Sequence, residues 1–290
     1  MKEHTKKSRS VIPENFKPFL SIFPVFIVLI AAVLLWGRET PETEDEKEIS
    51  ASAVSEDAPP ELLVTAEQLD RMTYLDSEKG EEMQWVYDGD SLEELNRVLR
   101  EYEIRTPEEI SQFLAQAAVE TGAGRWLTEL GNEDYFNRHG YTCGTRGAGY
   151  LHLTFEYGQM AFAVWMMKKS VPELAGIPYL NPTCYYNSEV AESYYSALEK
   201  AEELGLDVSR YARIVYDPQN DSTTGADYIA EEFAWESAGY FWHITGMSRF
   251  LSGPPSTAHT DEVSRVVGGR SWQSRREAYE AFYPVLSAAS

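Results

Sequence analysis

The most pronounced hydrophobic feature of the chain is the uncharged, almost wholly apolar run from Phe19 to Trp36. A run of this length can cross the hydrocarbon core of a bilayer as one helix. A cleaved signal peptide is the alternative, but this run is longer than the usual apolar region of such a peptide, and no small-x-small cleavage site precedes Gly37. Basic residues cluster in 1–18 and acidic residues follow the run. We therefore expect a single-pass signal anchor at 19–36, with a cytoplasmic N-terminus and an extracytoplasmic remainder.

Residues 37–61 have the opposite pattern, being rich in Glu, Ser and Pro and almost free of large apolar side chains. Such a segment cannot bury enough surface to fold, so it is predicted to be a disordered acidic linker. Apolar and aromatic residues are spread through 62–290 without a repeat or a second linker. This region is predicted to be one domain.

Helical spacing of apolar residues dominates that domain. Thr106 is a predicted N-cap, Pro107 the first helical residue and Glu109 the partner in a capping box. The same spacing predicts further helices at about 65–74, 91–103, 157–168, 189–204, 226–242 and 272–284. Alternating, strand-like patterns are short and few, so the fold class is predicted to be mainly α-helical.

Charge and composition limit the classes of molecule that the protein is expected to bind. A formal net charge of −22 opposes binding to nucleic acid, and a neutral or cationic polymer is the better candidate. The five histidines form no spaced ligand set, so no metal and no other cofactor is expected. Two cysteines, Cys143 and Cys184, could form one disulfide or remain as two thiols.

Two carboxylates flank a tight reversal of the chain. Glu120 lies at the edge of the apolar stripe of the 107–121 helix, just before Gly122, and Glu129 follows nine residues later. Burial at such an edge would raise the pKa of Glu120, which suits a general acid. The alternative is a solvated Glu in the last helical turn. Glu236, by contrast, shares a stripe with apolar residues and is expected to be a buried, hydrogen-bonded acid.

These residues resemble glycoside hydrolase family 19, which contains chitinases and related bacterial or phage endolysins. Segment 113–122 is similar to the HETGG-like helix end of that family, and the resemblance implies that Glu120 is the general acid. Glu129 lies at the spacing of the general base in compact bacterial members. Further similar segments occur in the same order at 64–72, 234–242, 263–269 and 275–279.

Segment 147–157 is similar to a GRGPIQLSWNYNY-like stretch of the same family. The resemblance aligns Thr154 with a Ser or Thr that positions water, and Tyr157 with a Tyr that contacts substrate. The chain also departs from the family pattern at six positions. Val119 stands where the family has His, Ala148 where it has Arg, Tyr150 where it has Pro and His152 where it has Gln, and Gly158 and Gly268 each stand where it has Asn.

The resemblance implies a lysozyme-like, two-lobed helical domain with a substrate cleft and an inverting mechanism. Glu120 would protonate the glycosidic oxygen while Glu129 activates water across a gap of about 6.5–9.5 Å. His152, Tyr157 and Arg276 are expected to bind sugar, with Arg275 an alternative to Arg276.

The expected substrate is a β-1,4-linked N-acetylated polysaccharide, either peptidoglycan or chitin. Anchoring outside a cytoplasmic membrane favours the cell wall, because a tethered enzyme reaches the wall next to its own membrane. The alternative is a wall-binding or scaffold module that has the groove but no turnover.

Overall fold

The protein is described here by a computed structural model that covers residues 63–180, 188–220, 223–268 and 271–288. The predicted cytoplasmic segment 1–18, membrane anchor 19–36 and linker 37–61 lie outside these residues. Within them, no helix is both long and apolar enough to cross a membrane.

The prediction of a mainly α-helical fold is confirmed. The described residues form eleven α-helices and one short antiparallel hairpin, in which Tyr74 pairs with Met83. The helices are α1 Ala66–Arg71, α2 Gly89–Glu101, α3 Pro107–Thr121, α4 Glu133–His139, α5 Glu156–Ser170, α6 Ser188–Leu204, α7 Ser209–Ala212, α8 Ala226–Glu232, α9 Ala234–Thr245, α10 Thr257–Val267 and α11 Trp272–Ser287. The hairpin strands are β1 Tyr74–Asp76 and β2 Glu81–Met83.

Helix α3 is the central element, and its start is set by local sequence. The Thr106 hydroxyl accepts from the Glu109 N–H, and the Glu109 carboxylate accepts from the Thr106 N–H, so the predicted capping box is present. Almost every side chain of α3 is buried. The helix ends at Gly122, whose φ of +60° is a left-handed conformation that glycine adopts without strain.

A polar stripe on α3 sets its register against α10. Gln112 donates to the Thr260 hydroxyl at 3.1 Å, and Gln116 donates to the Ser264 hydroxyl at 3.2 Å. All four side chains are buried, and each pair is one helical turn from the other. Because a buried amide without a partner is costly, sliding α3 along α10 would be opposed at both positions. The next position on this stripe, one turn further, is Glu120.

The predicted helix at 226–242 is interrupted. Phe233 has φ −141° and ψ 27°, and it ends α8 and precedes α9. Its buried ring packs edge-on against Phe162 and Tyr228. Trp235, two residues later, stacks on Tyr150 with ring centroids 3.4 Å apart. The break at Phe233 therefore lies between two rings that pack against different parts of the chain.

Three helices, α4, α7 and α10, were absent from the sequence prediction, although the caps of α4 and α10 follow known patterns. Asn132 caps α4 by accepting from the Tyr135 N–H, and Gly140 ends it in a left-handed conformation. Ser256 caps α10 in the same manner. Both caps are residue types that favour helix starts, so the local signals were present.

The segment around Gly149 docks against α9. The Gly149 N–H donates to the Leu127 carbonyl, and the Tyr150 N–H donates to the Ala234 carbonyl at 3.1 Å. A Cβ on Gly149 would overlap the Ser237 hydroxyl and lie 2.9 Å from the Ala234 carbonyl oxygen. Only glycine permits this approach.

We predict that Gly149→Ala lowers the free energy of unfolding by at least about 3 kcal/mol, through overlap together with a φ of +76°. Gly80→Ala is a matched control, because Gly80 has a φ of +70° but nothing within 4 Å of an added Cβ. The free energy of unfolding of Gly80→Ala should fall by only about 1–2 kcal/mol. Urea unfolding followed by tryptophan fluorescence measures both, and equal losses would contradict the packing argument.

Candidate active site

Glu120 occupies the last turn of α3 and contacts two basic side chains. One carboxylate oxygen, Oε1, is bonded by the guanidinium of Arg275, and the other, Oε2, lies 3.3 Å from His152 Nδ1. The Glu120 side chain is 19 % exposed, so it is neither the solvated acid of the alternative interpretation nor fully enclosed. It is a partly buried carboxylate between two potential cations.

The expected direction of the Glu120 pKa shift is wrong. Burial does act to raise the pKa, but the hydrogen bond from His152 and the charge of Arg275 outweigh it, and the pKa of Glu120 falls to about 2. The sequence placed the carboxyl at the edge of the core correctly. It did not reveal the partners, which come from elements 32 and 155 residues away along the chain.

Arg275 and Arg276 have different environments. Arg275 is 2 % exposed and bonds Gln116 as well as Glu120 and the Gly268 carbonyl. Arg276 forms a two-pronged pair with Asp261, at 2.6 and 2.7 Å, and its side chain is 40 % exposed. Of the two arginines proposed from the sequence, the alternative is therefore the one that reaches Glu120.

The burial of Arg275 could have been predicted from the sequence of α11. Arg275 lies on the stripe of buried apolar residues formed by Ala278, Tyr279, Phe282 and Leu286, at helical spacing. Arg276 is one residue, or about 100°, away from that stripe. An arginine on a core-facing stripe requires a buried partner, and this signal could have identified it.

Glu129 is held by three hydrogen-bond donors. Its Oε1 accepts from the Tyr135 hydroxyl at 3.1 Å and from the Tyr141 hydroxyl at 2.7 Å, and its Oε2 accepts from the Gly147 N–H at 3.2 Å. Burial, together with the Glu129 charge, raises the pKa of both tyrosines, so both phenols remain donors. A carboxylate accepts about four hydrogen bonds, which leaves Oε2 able to accept one more.

The strip from Gly147 to Thr154 joins the two acids. Isolated bridges pair Ala148 with Thr128 and with Leu153, which aligns this strip beside the Glu129 segment. A Cβ on Gly147 would lie 2.8 Å from the His152 Cβ and 3.4 Å from the Glu129 Cβ. His152, which contacts Glu120, is thus separated from Glu129 by a single glycine.

The remaining predicted residues lie on the same strip or just after it. The Thr154 hydroxyl donates to the His152 carbonyl at 2.7 Å, so its oxygen is left as an acceptor. Tyr157, in the first turn of α5, is partly buried and packs against the core. Glu120, Glu129, His152 and Thr154 are therefore brought together, whereas Arg276 is paired elsewhere.

Exposed aromatic rings flank the strip. Trp126 is 40 % exposed, and its carbonyl lies 3.4 Å from His152 Nε2. Phe155 is 36 % exposed and meets Tyr141 edge-on at 5.4 Å. Rings in such positions can cover the apolar face of a sugar.

Two residues that hold Glu129 were not identified from the sequence. Tyr135 lies on α4, and Tyr141 follows that helix after the Gly140 turn. The acidic first turn of α4 and its cap could have identified the helix. The tertiary contact of its tyrosines with Glu129 has no comparable local signal.

A second charged cluster lies around Glu236, which is 1 % exposed as the sequence predicted. Its carboxylate accepts from the Tyr102 hydroxyl and is paired with Arg97 and Lys169. A cavity of about 440 Å³ opens beside this cluster, and another of about 590 Å³ lies between α5 and residues 194–224. Neither is lined by Glu120 or Glu129.

In the part of the chain that the structure describes, no three His, Cys, Asp or Glu side chains converge as metal ligands. Cys143 is exposed, and Cys184 lies outside the described residues.

Comparisons with protein-family models, with curated proteins and with solved structures gave no match to this chain.

We predict that Arg275→Met lowers the free energy of unfolding by about 3–5 kcal/mol, because it leaves the Glu120 charge partly buried without its partner. Arg276→Met is the matched control and should lower the free energy of unfolding far less, since the Arg276 side chain is 40 % exposed. Urea unfolding at pH 7 measures both. The reverse order of the two losses would contradict the assignment of Arg275.

The ion pair also predicts a pH dependence of stability. The folded-state pKa of Glu120 lies below its ordinary value of 4.5, so the stabilisation is present above pH 4.5 and is lost as the pH falls towards 2. Between pH 4.5 and pH 2, the free energy of unfolding of the wild type should fall by about 3 kcal/mol more than that of Glu120→Gln. Glu81→Gln, at an exposed site on β2, should follow the wild type. If the free energies of unfolding of wild type and Glu120→Gln changed in parallel with pH, the lowered pKa of Glu120 would be excluded.

Proposed function

We propose that this protein is a glycoside hydrolase that cleaves a β-1,4-linked N-acetylated polysaccharide with Glu120 as general acid and Glu129 as general base. The observation that carries the proposal is the single strip, Gly147 to Thr154, that contacts both carboxylates. Two carboxylates with different surroundings on one surface are what an inverting glycosidase requires.

The resemblance to glycoside hydrolase family 19 supports the same assignment. Its ordered landmarks extend over about residues 64–285, and the fold that it implies is the lysozyme-like, two-lobed helical domain with a cleft. The helical content of the described residues agrees with this proposal. The domain is proposed to be extracytoplasmic and attached to a membrane through 19–36.

The general base is arranged to receive a proton from water. The Thr154 hydroxyl has given its hydrogen to the His152 carbonyl, so it can only accept. A water between Thr154 and Glu129 would donate one hydrogen to each, which turns its lone pairs away from both groups. Such a water could attack the anomeric carbon on one sugar face while the acid acts on the other.

The general acid requires a proton that the free protein does not hold on Glu120. A pKa of about 2 makes this carboxyl an anion at neutral pH. Sugar that covers the site would exclude water and make the charged form less favourable. The acid function therefore depends on a proton delivered when the site is occupied.

The same low pKa favours a second candidate, a non-catalytic wall-binding module. In that case the Glu120 and Arg275 pair would be a permanent structural contact, and the strip with its aromatic rings would bind glycan without turnover. The two candidates differ in whether a chemical step depends on the carboxyls.

Reducing-sugar release from peptidoglycan and from a chitin oligomer tests the proposal. Wild type should release sugar from at least one polymer, and the isosteric variants Glu120→Gln and Glu129→Gln should each lose at least about 100-fold. Glu133→Gln, an exposed acid on α4, is the control and should retain activity. The preferred polymer identifies the substrate.

Glycan binding, measured by sedimentation with the insoluble polymer, separates the candidates. Binding that is retained in Glu120→Gln while release is lost supports the hydrolase. Binding by a folded wild type that releases nothing from either polymer supports the module.

A further inference from the structure

His152 lies between two hydrogen-bond acceptors. Its Nδ1 is 3.3 Å from Glu120 Oε2, and its Nε2 is 3.4 Å from the Trp126 carbonyl oxygen. A neutral imidazole carries one N–H and can donate to only one of them, whereas an imidazolium donates to both. The surroundings of the ring therefore fit its protonated form.

The backbone holds the ring in this place. His152 has a φ of +46°, a left-handed conformation that is uncommon for a residue with a side chain. Its N–H donates to the Gly149 carbonyl at 3.2 Å, and its own carbonyl accepts from Thr154. Its side chain is 15 % exposed. A strained residue that is fixed from both sides is a recurrent feature of functional sites.

Among the charged groups around the imidazole, only His152 itself can supply a proton to Glu120. Arg275 also bonds Glu120, but a guanidinium does not release its proton in proteins. Glu129 faces His152 across Gly147 and is the proposed acceptor of the proton from water. With a Glu120 pKa of about 2, only about one carboxyl in ten thousand is protonated at pH 6, so solvent alone is a poor donor.

We propose that His152 is the proton-supplying positioning residue of this site, which protonates Glu120 Oε2 from Nδ1 when glycan occupies the strip. The inference rests on the proposed hydrolase function. It replaces the role that the sequence suggested for His152, which was contact with sugar. The family pattern has Gln at this position, which cannot supply a proton, so the device belongs to this chain.

The protons and electrons balance over one turnover. The Nδ1–H bond of His152 breaks and an O–H bond forms on Glu120, which leaves a neutral ring and a neutral carboxyl. Glu120 then gives this proton to the glycosidic oxygen as the bond from the anomeric carbon breaks. Water adds to that carbon, and its proton passes to Glu129. Solvent finally takes the proton from Glu129 and returns one to His152.

Nitrogen-15 NMR of the histidine rings tests the inference without any hydrolysis. The five histidines can be labelled, and the His152 ring signals are assigned in the wild type through their couplings to the backbone resonances. At pH 7 the Nδ1 signal of His152 should shift in Glu120→Gln, because the carboxylate that lies 3.3 Å from this nitrogen is removed. An unchanged Nδ1 signal would overturn the proposal, whether or not the protein proves to be a hydrolase.

Kinetics of His152→Gln test the proton transfer itself. Glutamine can still donate a hydrogen bond to Glu120, so a purely structural role would preserve the rate. We expect kcat to fall at least about 100-fold, KM to change by less than about twofold, and the alkaline limb of the wild-type kcat/KM profile to disappear. His243→Gln, at an exposed ring on α9, should behave as wild type.

The opposite pattern contradicts the proposal. An unchanged kcat with a raised KM would assign His152 to sugar binding, and a retained alkaline limb would place the titrating group elsewhere. If His152→Gln does not fold, as judged by circular dichroism, the His152 Nδ1 signal in Glu120→Gln still decides. If wild type releases no sugar, the hydrolase proposal fails, and the Nδ1 signal still tests the pairing of His152 with Glu120.

Discussion

The guanidinium of Arg275 lies buried between α3 and α11, where it bonds Gln116 and Glu120. A buried arginine cannot become neutral, so α3 has to present an anion to it. Glu120 is that anion, one turn beyond the polar stripe that sets the register of α3 against α10. Helices α3, α10 and α11 are therefore held in register by the same row of side chains that ends at the candidate acid.

This arrangement gives the Glu120 carboxylate a structural role in addition to the chemical role that we propose for it. The contact that stabilises the fold lowers the pKa of Glu120, which opposes its use as a proton donor. The chain places His152 beside the other oxygen of the same carboxylate. Gly147, on the same strip, lies between His152 and Glu129. In the proposed mechanism, one short segment supplies the proton from His152 and contacts the water through Thr154. Glycines and a left-handed residue allow this segment to pass close to both acids.

Local signals in the sequence predicted much of the fold but little of the site's electrostatics. The capping box of α3 and the periodicity of its apolar residues involve neighbours along the chain, so they are readable. The interruption at Phe233 is not, because it depends on rings from other elements. Glu120 was placed correctly at the core edge, yet its pKa was assigned the wrong direction, since Arg275 lies 155 residues away. Tyr135 and Tyr141 contact Glu129 only through tertiary structure.

The stereochemistry of the first product tests the central claim most directly. Proton NMR of a β-1,4-linked N-acetylglucosamine oligomer, recorded from the first minutes after addition of the protein, distinguishes the two anomers before they equilibrate. A water held between Glu129 and Thr154 predicts that the new reducing end appears as the α-anomer. Initial appearance of the β-anomer would show retention, and would contradict the assignment of Glu129 as a base acting on water.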